Sequence, residues 1–311
     1  LPENLEKARL QFADVPEMLA AFARAFGPFP FPESKFALVE TPFWGMEHST
    51  AIAYGSSYPQ WCEREGERDR YASRNRFFDY ILVHESAHEW WGNAVSASHW
   101  GDFWIHEGLG TYAEGVYVEF TQGRERADEY FAGVRRGVPR RGRLYRGADS
   151  DSGEAYSGLV YGKGAAVLET LRHCVADDDA WWRSLRAFQA EFRYGNASTD
   201  DFRRVLERET GADWARFFAE WFHGSGYPRL SGTVALDGDR VRVAVANEGT
   251  DGDGFHVPLD LAWDEAGEPR RERVWLAPGE NELELECAEG ATGLTLVHLE
   301  RVLGRHDVRV R

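Results

Sequence analysis

The pentapeptide His84-Glu85-Ser86-Ala87-His88 constrains this chain more than any other stretch. Two histidines four residues apart share one face of a helix. Their imidazoles can bind one metal ion, with Glu85 beside the first ligand and within reach of a water on that metal. Imidazole and carboxylate are borderline donors that suit one Zn²⁺. Two side chains do not complete such a site, so a third ligand has to come from elsewhere. Eighteen residues (89–106) separate His88 from Glu107, which lies in Trp104-Ile105-His106-Glu107-Gly108-Leu109-Gly110-Thr111-Tyr112-Ala113-Glu114. This stretch reads as a helix over 103–120. An antiparallel helix pair would bring Glu107 beside the two histidines. Glu114, seven residues on, stays near the same face, either bonding a metal-bound histidine or solvated.

The first helix of the pair is expected over 69–92. Its Phe77, Phe78, Tyr80, Ile81, Leu82 and Val83 run nearly all round, the mark of a buried helix. Helices are also predicted within 2–27, where Pro16 opens a turn and Gly27 stops one. Further helices are predicted from Leu159 to about Val175 and at 178–194, 198–210 and 212–223, with Ser198 as an N-cap. Their Trp181, Trp182, Phe188, Phe192, Phe217, Phe218, Trp221 and Phe222 read as packing core. Pro28, Pro30 and Pro32 force an extended link into two β-like runs, 35–41 and 47–54. Residues 55–68 and 139–157 read as loops, the second lying over the cleft with its arginines solvated. Beyond Tyr227-Pro228 the apolar residues alternate at period two, as in Val241, Val243, Val245 and Val257, Leu259, Leu261. Asp237-Gly238-Asp239 is a tight-turn signal, and six or seven short strands predict a small β-sandwich. The expected fold is multidomain α+β: a mostly helical domain, 1–228, followed by an Ig-like β-sandwich, 229–311.

His84-Glu85-Ser86-Ala87-His88-Glu89-Trp90-Trp91-Gly92-Asn93 with Trp104-Ile105-His106-Glu107-Gly108 resembles the paired zinc helices of the aminopeptidase N / leukotriene hydrolase family. That family is a gluzincin family, with its glutamate ligand after the same spacer. The resemblance implies a thermolysin-like catalytic domain and one zinc held by His84, His88 and Glu107, with Glu85 as general base. Trp44-Gly45-Met46-Glu47-His48 is similar to the family's Gly-x-Met-Glu-Asn exopeptidase motif. Gly45, Met46 and Glu47 fit, whereas Trp44 stands for glycine and His48 for asparagine. An edge strand there can pair with an extended peptide, and Glu47 can hold the substrate ammonium. Tyr161-Gly162-Lys163-Gly164-Ala165 is similar to the family's Tyr-x-Lys-Gly-Ala segment, which implies that the Tyr161 hydroxyl donates to a developing oxyanion.

The activity so implied is zinc-dependent removal of N-terminal residues from peptide substrates. The family's N-terminal β-domain, which lends the amine site a second carboxylate, is not among these residues and stands as an expected partner. Other readings are a gluzincin endopeptidase, an epoxide hydrolase as in one branch of the family, or a non-catalytic zinc-containing peptide-binding module. A structural zinc takes four protein ligands; three are offered here, which favours catalysis.

Composition narrows the setting. A formal net charge of −16 argues against nucleic acid or an anionic membrane as partner. No run approaches the roughly 20 apolar residues of a membrane span. Cys62, Cys174 and Cys287 are odd in number and far apart, which predicts buried thiols in a reducing compartment. With no signal peptide visible, the expected location is cytoplasmic.

Overall fold

The computed structural model describes residues 1–55, 58 and 77–311. The expected loop over 56–68 and the expected helical start at 69–76 therefore lie outside the described residues, apart from Tyr58. The chain opens on α1 (Leu5–Gln11) and α2 (Val15–Phe26). α2 buries Met18, Ala21, Phe22, Ala25 and Phe26, a stripe at helical spacing, with Pro16 in its first turn. Gly27, at φ 99°, ends it in a conformation other residues rarely adopt.

A three-stranded sheet follows, built from β1 (Leu38–Thr41), β2 (Gly45–Met46) and β3 (Ile52–Gly55) in the order β1-β3-β2. Among the described residues β2 is thus an edge strand, paired antiparallel to β3. The strand expected over 47–54 begins only at Ile52. Residues 47–51 form a turn instead, with Thr50 at φ 59° and hydrogen bonds from the His48 amide to Met46 O and the Ala51 amide to His48 O.

The expected helix 69–92 is also shorter: α3 spans Tyr80–Ala87. Asp79 caps it, its carboxylate accepting the Leu82 N–H at 3.3 Å, so residues 77–79 stay outside. At the other end the bonds tighten, Glu89 N–H reaching Ser86 O and Trp90 N–H reaching Ala87 O. Gly92 then turns the chain at φ 124° into β4 (Val95–Ala97). Next come α4 (Trp104–Gln122), α5 (Arg124–Gly137), α6 (Ser152–Ala155), α7 (Gly158–Val175), α8 (Asp178–Phe192), β5 (Gly195–Ala197), α9 (Thr199–Thr210) and α10 (Ala215–Trp221). α6 is a capped turn inside the stretch read as loop, its Glu154 N–H held by Asp151. β5 pairs parallel with β4 and ties the far helices to the segment after His88.

α4 is the central helix and packs on α2, α3, α5 and α7. Its crossing with α7 is backbone on backbone. A Cβ on Gly164 would lie 2.6 Å from Gly108 Cα, so only glycines allow the approach. Tyr161, one turn earlier on α7, is thereby drawn toward Glu107 on α4.

Residues 228–310 carry β6 (Pro228–Asp237), β7 (Arg240–Gly249), β8 (Val257–Glu265), β9 (Glu268–Leu276), β10 (Gly279–Glu286), β11 (Thr292–Val297) and β12 (Arg305–Val310). They form a four-stranded sheet, β10-β7-β6-β12, and a three-stranded one, β11-β8-β9. Val234, Val241, Val243 and Val245 of the first share a buried core with Val257, Leu259, Leu261 and Leu276 of the second. Asp237 pairs with Arg240 across a two-residue turn led by Gly238, φ 66°. Arg301 bonds Asp128 at 2.9 Å, and Arg273 donates to the carbonyls of His173 and Cys174, so the sheets are pinned to the helices. Cys174 is buried, but Cys287 is only half-buried, because it lies on the short link after edge strand β10. Cys62 lies outside the described residues.

Candidate active site

Three helices, the edge strand β2 and the turn after it bring the sequence-derived residues together. His84 lies on α3 and His88 caps it; Glu107 lies in the first turn of α4. One ligand atom from each falls within 4.8 Å of the others. His84 Nε2 is 3.3 Å from His88 Nε2 and 3.3 Å from Glu107 Oε2, and His88 Nε2 is 3.5 Å from Glu107 Oε2. All three side chains are buried.

The opposite ring nitrogens are committed. His84 Nδ1 is 2.8 Å from Glu114 Oε1, and His88 Nδ1 is 2.8 Å from the Trp91 carbonyl oxygen. Carboxylates and carbonyls only accept, so both Nδ1 atoms carry the proton and both Nε2 lone pairs face Glu107. Glu114 is itself held by the Tyr130 hydroxyl at 2.6 Å. Such outer partners fix ring orientation and raise ligand basicity. The donor chemistry therefore fits a zinc ion.

Electrostatics follow from burial and proximity. Burial opposes a charged Glu107, but the His84 and His88 rings beside it, when protonated, donate to its carboxylate, prevail, and hold it well below the usual range. Glu85 shows the reverse balance. Burial pushes its carboxyl up, the two imidazoles oppose this, and nearby Glu47 and Glu107 add to the rise. Burial also raises the Tyr161 phenol, with the Glu107 charge adding to it, so the hydroxyl keeps its proton. The Tyr161 ring lies 6.0 Å from that of His84, near parallel at 24°.

The stretch around Glu47 reaches the same place. A Cβ on Gly45 would lie 2.8 Å from Glu85 Oε1 and 2.9 Å from Ile81 Cγ2. The edge strand thus runs directly against the Glu85 carboxylate. Glu47 is half-buried, and Met46 is 42% exposed beside it. Trp44 packs at a tilt of 30° on Tyr80, centroids 5.4 Å apart, and Tyr80 stacks on His84 at 5.0 Å, so the tryptophan packs behind a ligand ring.

Sequence reasoning missed several contributors. Tyr130 behind Glu114 and the Trp91 carbonyl behind His88 carry no motif. Gly110 was also missed: a Cβ there would sit 3.2 Å from His88 Cε1 and 3.4 Å from His84 Cε1. Its placement three residues after Glu107, facing the same turn, is the one signal that could have found it. His106, inside the motif, turns away and accepts the Ala97 N–H at 2.9 Å; burial lowers it to about 4 and keeps it neutral.

Comparison with known proteins bears on this geometry. The sequence model of the "Peptidase family M1 domain" matches residues 11–221. The chain is 25% identical over 264 residues to "Tricorn protease-interacting factor F2" of Thermoplasma volcanium, covering 80% of this chain and 33% of that protein. It is 26% identical over 253 residues to "Aminopeptidase N" of Lactococcus lactis subsp. lactis, covering 76% of this chain and 29% of that one. The chain thus spans about a third or less of the length of these relatives. A solved structure, Legionella pneumophila aminopeptidase A in complex with aspartic acid, superposes with a TM-score of 0.74 at 15% identity. That match covers 100% of this chain and 35% of the Legionella chain, a likeness of fold.

Proposed function

Because the chain belongs to peptidase family M1, we propose that it is a zinc-dependent metallopeptidase removing residues from the amino termini of peptides. The observation that carries this is the donor set. His84, His88 and Glu107 offer one ligand atom each within 4.8 Å, with both histidines fixed through Nδ1. Three protein donors leave a coordination position open, which favours catalysis over a structural zinc. Zinc held there supplies Lewis acidity, lowering the pKa of a water and polarising the substrate carbonyl.

The chain's own groups supply the rest. Glu85 takes the proton of the attacking water and returns it to the leaving amine, a role suited to a carboxyl whose proton affinity is raised. Tyr161 donates its hydroxyl to the carbonyl oxygen as charge builds. Gly45 and Met46, on an open strand edge, offer backbone groups to an extended peptide. Glu47 holds the substrate ammonium and so sets which peptide bond meets the base.

In this reading residues 1–228 form the thermolysin-like catalytic unit and 229–311 an Ig-like β-sandwich. The amine site is completed by a second carboxylate from an N-terminal β-domain, as the greater length of the relatives suggests. A buried free thiol at Cys174 suits a reducing compartment such as the cytoplasm. Among the described residues, no helix is long and apolar enough to cross a membrane.

The test compares kcat/KM for an aminoacyl amide and its N-acetylated counterpart. The free amine should be preferred, and Glu85→Gln should keep the metal while losing most turnover. Equal or better cleavage of blocked peptides would transfer the assignment to an endopeptidase.

A further inference from the structure

The turn that carries Glu47 is fastened to the segment immediately after His88 at two points. Asn93 Nδ2 donates to the Glu47 carbonyl oxygen at 2.8 Å. The Thr50 amide donates to Glu89 Oε1 at 2.6 Å. Glu89 is fully buried, next in sequence to a histidine of the candidate metal site, and Asn93 returns its own amide to the His88 carbonyl at 3.0 Å. Thr50 sits at φ 59°, a conformation that costs a non-glycine residue energy and persists only where neighbours over-determine it. The Glu89 bond supplies that constraint. Within the turn itself, the His48 amide donates to Met46 O and the Ala51 amide to His48 O.

From this geometry we propose that Glu89 and Asn93 are positioning residues, which set the distance between the ammonium-holding Glu47 and the His84–His88 segment. The inference rests on the amine-anchor reading of Glu47. An α-ammonium and the first peptide carbonyl of a substrate are separated by a fixed few bonds. A carboxylate that selects such substrates has to be held at a matching distance from the reacting centre, and a flexible turn cannot do that. Here the metal-ligand segment itself holds the turn at both ends. Neither Glu89 nor Asn93 touches the reacting bond. Their removal should loosen ground-state binding of the ammonium more than it slows chemistry.

The test measures KM and kcat of the full chain on an aminoacyl p-nitroanilide, with zinc content determined alongside. Asn93→Ala and Glu89→Ala should each raise KM about tenfold while kcat moves less than about threefold, the pattern of lost uniform binding. Zinc per chain should not change. Glu89→Gln keeps an acceptor for the Thr50 amide and should restore KM to near the wild-type value. The decisive arm is a double-mutant cycle: in a Glu47→Ala background, Asn93→Ala should add nothing to KM, because its effect passes through Glu47. A KM effect that persists undiminished in that background, or a loss of kcat and zinc with KM flat, overturns the inference. So does an unchanged KM in both alanine variants while Glu47→Ala raises it. An unchanged KM in Glu47→Ala itself overturns the amine-anchor reading first, and this inference with it.

Discussion

Gly45→Ala offers a sharp test of how the edge strand and the base are related. The added Cβ would lie 2.8 Å from Glu85 Oε1, 2.9 Å from Ile81 Cγ2 and 3.1 Å from Ile81 Cδ1. Relief of the closest overlap requires a displacement of about 0.6 Å to reach ordinary contact near 3.4 Å. The Glu85 oxygen is the end of a flexible side chain, so it yields before the backbone does. The overpacking should cost about 1–3 kcal/mol of stability, which leaves the fold standing. Its kinetic cost is larger in proportion, since a misplacement of about 1 Å can cost about 10²-fold. An expected fall of about 10- to 100-fold in kcat corresponds to about 1.4–2.7 kcal/mol in the barrier. The three nearest atoms to the new methyl all belong to Glu85 and Ile81, so zinc content should hold. The assay is steady-state hydrolysis of an aminoacyl p-nitroanilide, with zinc measured on the same samples. In a Glu85→Gln background the substitution should add little, because the group it displaces no longer acts. A kcat within twofold of wild type would refute the reasoning, as would the same fold loss with and without the Glu85 carboxylate.

Three further outcomes are expected. Tyr161→Phe removes one donor to the carbonyl oxygen and should lower kcat by about 10²–10³, with KM little changed; an unaltered kcat would make Tyr161 a packing residue. Glu114→Ala frees the His84 ring and should weaken zinc affinity about 10- to 100-fold in a chelator competition, with Tyr130→Phe giving a smaller effect in the same direction. Burial lowers the Lys163 ammonium to about 8, although it donates to Gly142 O at 2.8 Å and Gly224 O at 3.2 Å. With a depressed folded pKa, the unfolded chain binds more protons between about 8 and 10.5, so stability rises with pH across that window at up to about 1.4 kcal/mol per unit. Urea unfolding at pH 7.5 and 9.5 should therefore show wild type gaining on Lys163→Met, and a gap independent of pH would contradict the shift.

The parts legible in the sequence were those set by local spacing. Two histidines at i and i+4 share a face wherever the chain is helical, and Glu114 follows Glu107 by two turns. α2 carries its apolar stripe, Pro16 and Gly27 in the sequence, and for α9 Ser198 with Asp201 makes a full capping box. Other features depended on what lies across space. The start of α3 is set by Asp79, which also accepts from Gln11 and Tyr54 far along the chain. Thr50 leaves the β-region because Glu89 binds its amide, which no alternation of Thr50-Ala51-Ile52-Ala53-Tyr54 could reveal. The Gly108–Gly164 crossing joins two helices about fifty residues apart, and periodicity within either one is silent about it. Cys287 looked like a core thiol by type, but its place on a link after an edge strand leaves it half-exposed.

The central claim is that His84, His88 and Glu107 hold one catalytic zinc, and zinc stoichiometry measures it most directly. After exhaustive dialysis against metal-free buffer, the wild-type chain should retain one zinc and the His88→Ala variant should retain essentially none, its hydrolysis lost with the metal. Full zinc occupancy in His88→Ala, or a wild-type chain that hydrolyses peptides without zinc, would contradict the account.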